Sequence, residues 1–314
     1  MNADSLSSVA VVIVHYKTPR ETVLAARSVA DTCPGCAIVV VDNDSKDRVA
    51  ELLGAEAPQA RVVVADSNAG YGAGCNLGAR ETVEPYLLFL NSDARVAPGA
   101  VAALVRALEE DSGAAAAGPR LSYPDGRPQP SITRLPTPWR IFCESSGAAA
   151  LAGGRGFLRG HTRTREDHTQ SGIVEALMGA ALLVRRSAFE QAGGFDEAFF
   201  LYAEETDLLA RLRKNGWRIL YEPGASVIHV GGASGGDPLF GLLHASLRRY
   251  VTKHHGPVLG GLTGVVLRAG AAARYLAALV TPGERGRRRR IRYRAALGAA
   301  AGSAVSRERM PRVR

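Results

Sequence analysis

Short runs of β-branched and apolar residues, each ending in polar side chains, alternate with stretches of helical spacing in the first third of the chain. Residues 9–16 (VAVVIVHY), 37–42 (AIVVVD), 61–65 (RVVVA) and 86–90 (YLLFL) read as strands. Between them, 22–30, 49–53 and 72–82 read as helices, and 98–110 follows as a helix with proline in its first turn. Strands that are apolar at nearly every position are buried on both faces, and intervening helices make the connections parallel. The pattern therefore predicts an α/β fold, a mostly parallel sheet flanked by helices. Such sheets bind ligands at the carboxyl ends of their strands. The polar residues there are His15 and Tyr16, then Asp42-Asn43-Asp44, Asp66-Ser67-Asn68 and Asn91-Ser92-Asp93.

The middle of the chain differs. Residues 118–139 are rich in proline and glycine, and 147–172 mix small, basic and acidic residues without an apolar period; this stretch reads as a mobile loop. Pattern resumes at 174–184 (VEALMGAALLV), a strand with a bulge or bend at Met178-Gly179. A helix over 186–192 stops at Gly193-Gly194, and another over 207–215 closes at Asn215-Gly216. Residues 217–221 and 225–230 read as strands and 240–254 as a helix, followed by an Ala/Leu/Gly helical region and an arginine-rich tail. There is no internal repeat.

Composition narrows this further. The chain has 314 residues, 46% hydrophobic and 22% charged, which suits a globular protein. Its net charge of +9 sits in the tail: residues 284–314 hold 11 Arg and 2 Glu, and the rest is balanced. A globular nucleic-acid-binding face is not implied. Of four cysteines, Cys33 and Cys36 form a lone C-x-x-C with no second pair or histidines for zinc. It reads as a helix-to-strand turn, with a redox pair as the alternative and no disulfide framework. The N-terminus lacks a secretory signal. Arg268 and Arg274 interrupt the apolar run 257–280, so no membrane span is expected, though interfacial contact stays open.

Four constellations carry candidate chemistry. The segment from Asn68 to Gly78 follows a strand and opens a helix, where backbone N–H groups suit an anionic ligand. It is not the dinucleotide fingerprint, which has G-x-G-x-x-G after the first strand. Here G-x-G-x-G follows the third strand, and no G-x-x-x-x-G-K-[ST] run exists. Asp93, at a strand end, suits a hard divalent cation or a turn cap. Glu204, Glu205 and Asp207 form either an acidic first helical turn or a general base with neighbours that raise its pKa. His229 ends a strand as a structural residue or a ligand.

The segments VVIVHYKTPRE, IVVVDNDSKD, NAGYGAGCNLGAR, LLFLNSDARV, GAALLVRRSAFEQAGGFDEAFFLYAEETDLLARL and VIHVGG follow one another over most of residues 8–250. In this order and spacing the chain resembles the family 2 glycosyltransferases of GT-A fold, especially bacterial rhamnosyltransferases that extend lipid-linked cell-wall or O-antigen sugars. The resemblance implies a glycosyltransferase domain over 1–255, with a nucleotide-sugar half near 8–118 and an acceptor half near 172–235, and a helical extension with its tail over 256–314. It implies that Asp42 holds the base or ribose beside His15 and Tyr16, and that Asn68, Gly72 and Asn76 complete the pocket. Asn91-Ser92-Asp93 stands at the family's D-x-D position, with Asn91 replacing the first acid and Asp93 binding Mg²⁺ or Mn²⁺. His229 matches a further metal ligand of some relatives. The family's E-D motif falls on Glu204-Glu205, which makes Glu205 the expected base. Relatives usually have aspartate there, so either the backbone compensates or Glu204 or Asp207 takes the role.

The implied reaction is an inverting transfer, best matched to L-rhamnose from dTDP-rhamnose, onto a hydroxyl of a polyprenyl-diphosphate-linked saccharide. Phe199, Phe200 and Tyr202 shape the acceptor side or belong to the core. The location implied is cytoplasmic and peripheral. Arg285, Arg287–Arg290, Arg292 and Arg294 suit an anionic membrane or form a solvated tail; no aromatic platform supports RNA binding. Two other readings stay open. One is a UDP-sugar transferase using galactofuranose, glucose or N-acetylglucosamine. The other is a non-catalytic peripheral scaffold of this fold.

Overall fold

The computed structural model describes residues 6–153, 156–162, 168–231 and 239–299. The four apolar runs become β1 (Val9–His15), β2 (Ala37–Asp42), β3 (Ala60–Val64) and β4 (Tyr86–Asn91), paired in parallel in the order β3-β2-β1-β4. The crossovers are α1 (Pro19–Thr32), α2 (Val49–Glu56) and α3 (Tyr71–Arg80). β1 is buried throughout because both its faces are covered. Val9, Val11 and Ile13 share a core with Val23 and Val29 of α1 and Leu53 of α2. Val12 and Val14 face α3 instead, where a Cβ on Gly74 would stand 2.7 Å from Val14 Cγ1 and one on Gly78 would collide with Val12. Gly74 and Gly78 thus let α3 lie close on the sheet. That packing accounts for their spacing.

Past β4 the sheet becomes mixed. After β5 (Ala94–Val96), α4 (Ala100–Glu110) and β6 (Ala114–Ser122), its order is completed by β11 (Ala181–Arg185) and β12 (Arg218–His229), giving β3-β2-β1-β4-β11-β6-β12-β5. β11 runs antiparallel to β4 and β6, β12 parallel to β6, and β5 antiparallel to β12. β7 (Pro128–Gln129) pairs with β6, and β9 (Gly172–Ile173) with β12. β8 (Ile132–Thr133) and β10 (Ala176–Leu177) form a separate two-stranded sheet. Residues 174–184 are therefore two strands in different sheets, with Met178-Gly179 at the change. The two strands read over 217–230 are one, β12, whose register shifts between Glu222 and Ser226. β6 carries no strand signature in its run of alanines; its place between β11 and β12 overrides propensity. α7 (Arg186–Gln191) and α8 (Glu204–Lys214) complete this part.

By its contacts the chain divides into two units. The first contains the sheet: residues 1–133, 166–198 and 204–233. The second takes 134–165, 199–203 and 234–314, and its helices are α5 (Pro138–Ser146), α6 (Ala148–Leu151), α9 (Phe240–His255), α10 (Pro257–Leu279) and α11 (Gly283–Ala299). The stretch read as a mobile loop thus holds α6 and a 3₁₀ turn at Gly156–Leu158. α5, just before it, is capped by the Thr137 hydroxyl, which accepts from Arg140 N–H, and ends at left-handed Gly147. Phe199 is a core residue of the second unit, with Lys253 Nζ 5.7 Å from its ring centre; Phe200 and Tyr202 are partly exposed. The tail beyond 299 lies outside the described residues. Cys33 and Cys36 form the expected turn, and a disulfide joins them across it, the bond that the alternative reading as a redox pair requires.

Candidate active site

The carboxyl ends of β2, β1 and β4 lie level. His15 stands opposite Asp42, and Val14 opposite Asn91. Among the described residues the non-glycine positions with left-handed backbone are Lys17 after β1, Asp44 and Lys46 after β2, and Tyr202 and Ala203 just before α8. Such conformations cost about 1–3 kcal/mol each and persist only where the surroundings hold them.

Along this edge, several expected residues act as braces. His15 is fully buried: Nδ1 lies 2.8 Å from Thr22 Oγ1, and Nε2 lies 3.1 Å from Asp47. Burial lowers its pKa despite the pull of the Asp47 carboxylate. Asp42 accepts the Ser45 N–H through Oδ1 at 2.9 Å. Asn43 donates to Asn68 Oδ1 at 2.9 Å and to the Gly70 carbonyl at 3.2 Å, and Asn68 Oδ1 also accepts the Gly70 N–H. Asn76 donates to the Phe195 carbonyl and Glu197 and accepts the Phe195 N–H, each at 2.9 Å. Its amide is engaged with the loop after α7. A Cβ on Gly72 would stand 3.1 Å from Phe195 Cβ and 3.6 Å from Glu204 Cβ, so this glycine brings α3 against the start of α8. Tyr16 is partly exposed beside Lys17. Asn43 and Asp47 lie within a motif that the sequence singled out, but their bracing roles depend on partners far along the chain.

A second cluster forms where β4, β5 and β12 meet. Asp93 occupies the turn between β4 and β5, and β5 pairs with the end of β12, so that His229 stands opposite Ala94. Asp93 Oδ1 lies 3.3 Å from His229 Nε2, and Asn91 Nδ2 lies 3.4 Å from the same nitrogen. Asp93 Oδ2 accepts the Gly231 N–H at 3.1 Å. Gln129 Oε1 lies 3.0 Å from His229 Nδ1. That contact places the ring proton on Nδ1 and turns the Nε2 lone pair toward Asp93. Sequence reasoning missed Gln129, which sits on a two-residue strand in the proline-rich stretch. The donor set, a carboxylate and an oriented imidazole, fits Mg²⁺ or Mn²⁺. Among the described residues no group of three or more His, Cys, Asp or Glu could hold a metal.

The third cluster is the first turn of α8. Glu204 is 4% exposed, and its Oε2 has no hydrogen-bond partner. Burial, and then the adjacent Glu205, push its pKa well above the usual carboxylate range and favour its neutral form. Glu205 is half-buried against Gly179, where a Cβ would stand 2.9 Å from Glu205 Cγ. Burial raises its pKa too, but backbone N–H groups of Glu205, Thr206 and Gly179 pull against that shift. Asp207 is fully buried and accepts from Arg211 Nε at 2.8 Å. Next to Gly179, the Ala180 carbonyl accepts the Asn91 N–H at 2.9 Å. A short path of contacts therefore links Glu205 to the Asp93–His229 pair.

Comparison with known proteins gives three findings. A family model described as Glycosyl transferase family 2 matches residues 10–193. The N-acetylglucosaminyl-diphospho-decaprenol L-rhamnosyltransferase of Mycobacterium tuberculosis is 34% identical over 234 residues, 69% of this chain and 74% of that protein. Among solved structures, a mannosyltransferase of Pyrobaculum calidifontis in complex with GDP-Man and Mn²⁺ superposes with a TM-score of 0.58 at 15% identity, over 94% of this chain and 86% of that one.

Proposed function

The chain belongs to glycosyl transferase family 2, has the GT-A fold and is a glycosyltransferase; from that premise we propose that it transfers L-rhamnose from dTDP-rhamnose, with inversion, to a hydroxyl of a polyprenyl-diphosphate-linked saccharide. The observation that carries the chemistry is Glu205 seated on Gly179, within one contact path of Asp93 and His229. The mycobacterial relative, named as acting with rhamnose on a lipid-linked N-acetylglucosamine, supports the choice of donor and acceptor. Catalysis belongs to residues 1–255, acting at the cytoplasmic face of the membrane, with 256–314 as an extension.

Asp93 and His229 hold Mg²⁺ or Mn²⁺ in this reading, with Gln129 orienting the imidazole. Bound there, the cation supplies positive charge against the charge that builds on the departing diphosphate. Asp42 and Tyr16 receive the nucleoside at the level edge that His15, Asn43 and Asn68 brace. Glu205 accepts the proton of the acceptor hydroxyl as that oxygen bonds to the anomeric carbon. The bond from that carbon to the diphosphate breaks on the opposite face. Burial and the adjacent Glu205 raise the Glu204 pKa well above the ordinary range, whereas backbone N–H groups of Glu205, Thr206 and Gly179 oppose the rise at Glu205, so Glu205 is the more acidic of the two and the one suited to take the proton. Asp207 is held by Arg211 and takes no part.

The Glu205→Gln variant tests the assignment. Turnover should fall by about 10²–10⁴-fold, while calorimetry finds donor affinity unchanged. Undiminished turnover removes Glu205 from the reaction. Transfer from UDP-galactofuranose, UDP-glucose or UDP-N-acetylglucosamine in preference to dTDP-rhamnose overturns the donor assignment.

A further inference from the structure

α10 is apolar on two faces, and only one of them is covered. Its inner stripe of Gly260, Thr263, Gly264, Leu267, Ala271 and Ala278 is buried, and within the helical unit α10 packs on α5, α9 and α11. Arg274, one of the charges interrupting the apolar sequence, lies partly buried and donates to the Glu144 carbonyl at 2.9 Å and to the Ser145 carbonyl at 2.5 Å. The outer stripe is open: Val258 is 75% exposed, Leu262 56%, Val265 65% and Leu276 62%. An uncovered apolar helix face of this length marks an interaction surface. α11 follows directly, with Arg285, Arg287, Arg289 and Arg294 exposed.

The charge selects the occupant. A second copy of the chain on this face would bring one arginine helix toward another, whereas an anionic surface takes both the apolar stripe and the guanidinium groups. α10 is long and apolar enough to cross a membrane, with 28% of its apolar window buried. To cross, it would have to release its inner stripe and Arg274 from α5. We infer that the outer face of α10 docks the protein on an anionic bilayer, lying in the interface with α11 over the phosphate headgroups. The docking element is thus a folded helix, and the arginine-rich segment supplies the charge. This inference does not depend on the sugar chemistry, and its test uses neither donor nor acceptor.

The full chain is sedimented with vesicles of phosphatidylcholine alone and of phosphatidylcholine mixed with phosphatidylglycerol. Binding should need phosphatidylglycerol and be released by high salt. Each arginine near such a surface adds about five-fold to partitioning. Leu262→Ser, Val265→Ser and Leu276→Ser together should weaken binding by about ten-fold or more, with an unchanged circular dichroism spectrum. A nitrobenzoxadiazole label on Leu262→Cys provides a measurement that does not depend on the triple variant folding. Its emission should brighten and shift to the blue on anionic vesicles. Failure of the wild type to bind, equal binding by the triple variant, unchanged label emission or retention through the salt wash would each overturn the inference. So would a wild-type dimer in sedimentation velocity that the triple variant dissolves.

Discussion

Glu204 and Glu205 are adjacent on one helical turn, yet their surroundings give them different states. Glu204 is buried without a partner for Oε2, whereas Glu205 meets the Gly179 N–H. A carboxyl group held neutral in the fold binds a proton that the unfolded chain releases above its ordinary pKa of 4.5. Stability therefore falls as pH rises past that value. Glu204→Gln removes this loss. Its melting temperature should exceed that of the wild type at mildly alkaline pH and converge with it in acid; equal melting curves across that range would contradict the neutral state. Gln129 is the other decisive side chain. Gln129→Leu removes the acceptor from His229 Nδ1 and should weaken Mn²⁺ binding by about 10–100-fold, read by calorimetry on the enzyme without donor. Unaltered affinity would mean that the imidazole needs no such orientation. The sequence singled out Glu204 only together with Glu205, and Gln129 not at all. A lone glutamine has no signature, and two glutamates in a row look alike until their neighbours are known.

At the scale of elements, legibility followed how local the cause was. β1, β2 and β4 were readable because burial on both faces leaves a run of apolar residues. β6 was not, because four alanines become a strand only between β11 and β12. α6 fell in a stretch without apolar period that read as a loop, α5 lay almost wholly between the stretches so described, and the cap of α5 by Thr137 was visible only with Arg140 folded back onto it. The glycines of α3 drew notice as part of a segment suited to an anion, and the structure adds a packing role: Gly78 faces Val12 and leaves no room for a methyl group. Gly78→Ala should cost about 1–3 kcal/mol through overpacking, measured by denaturant unfolding, with donor affinity intact. A loss of donor affinity at unchanged stability would favour the anion-cradle reading.

At the scale of the molecule, the donor and metal should stabilise the first unit by mass action. Saturating dTDP-rhamnose with Mn²⁺ at about 100 times the dissociation constant adds about 2.7 kcal/mol. In a thermal shift series, dTDP-rhamnose with Mn²⁺ should raise the melting temperature more than UDP-sugars do and more than dTDP-rhamnose with a chelator. An equal shift with chelator would remove the cation from donor binding. The sequence alone determined the α/β class, the family resemblance and the polar residues at the strand ends, since burial and polarity change over five or six consecutive positions in runs such as 37–42. The tertiary structure decided which partners these and the other candidate residues meet. His15 is taken up by Thr22 and Asp47, Asn76 by the Phe195 loop and Asp207 by Arg211, while Asp93 meets His229 and Glu205 lies over Gly179. Most of these pairs join positions far apart in the chain, and a local stretch of sequence holds no record of which side chain a distant one will meet.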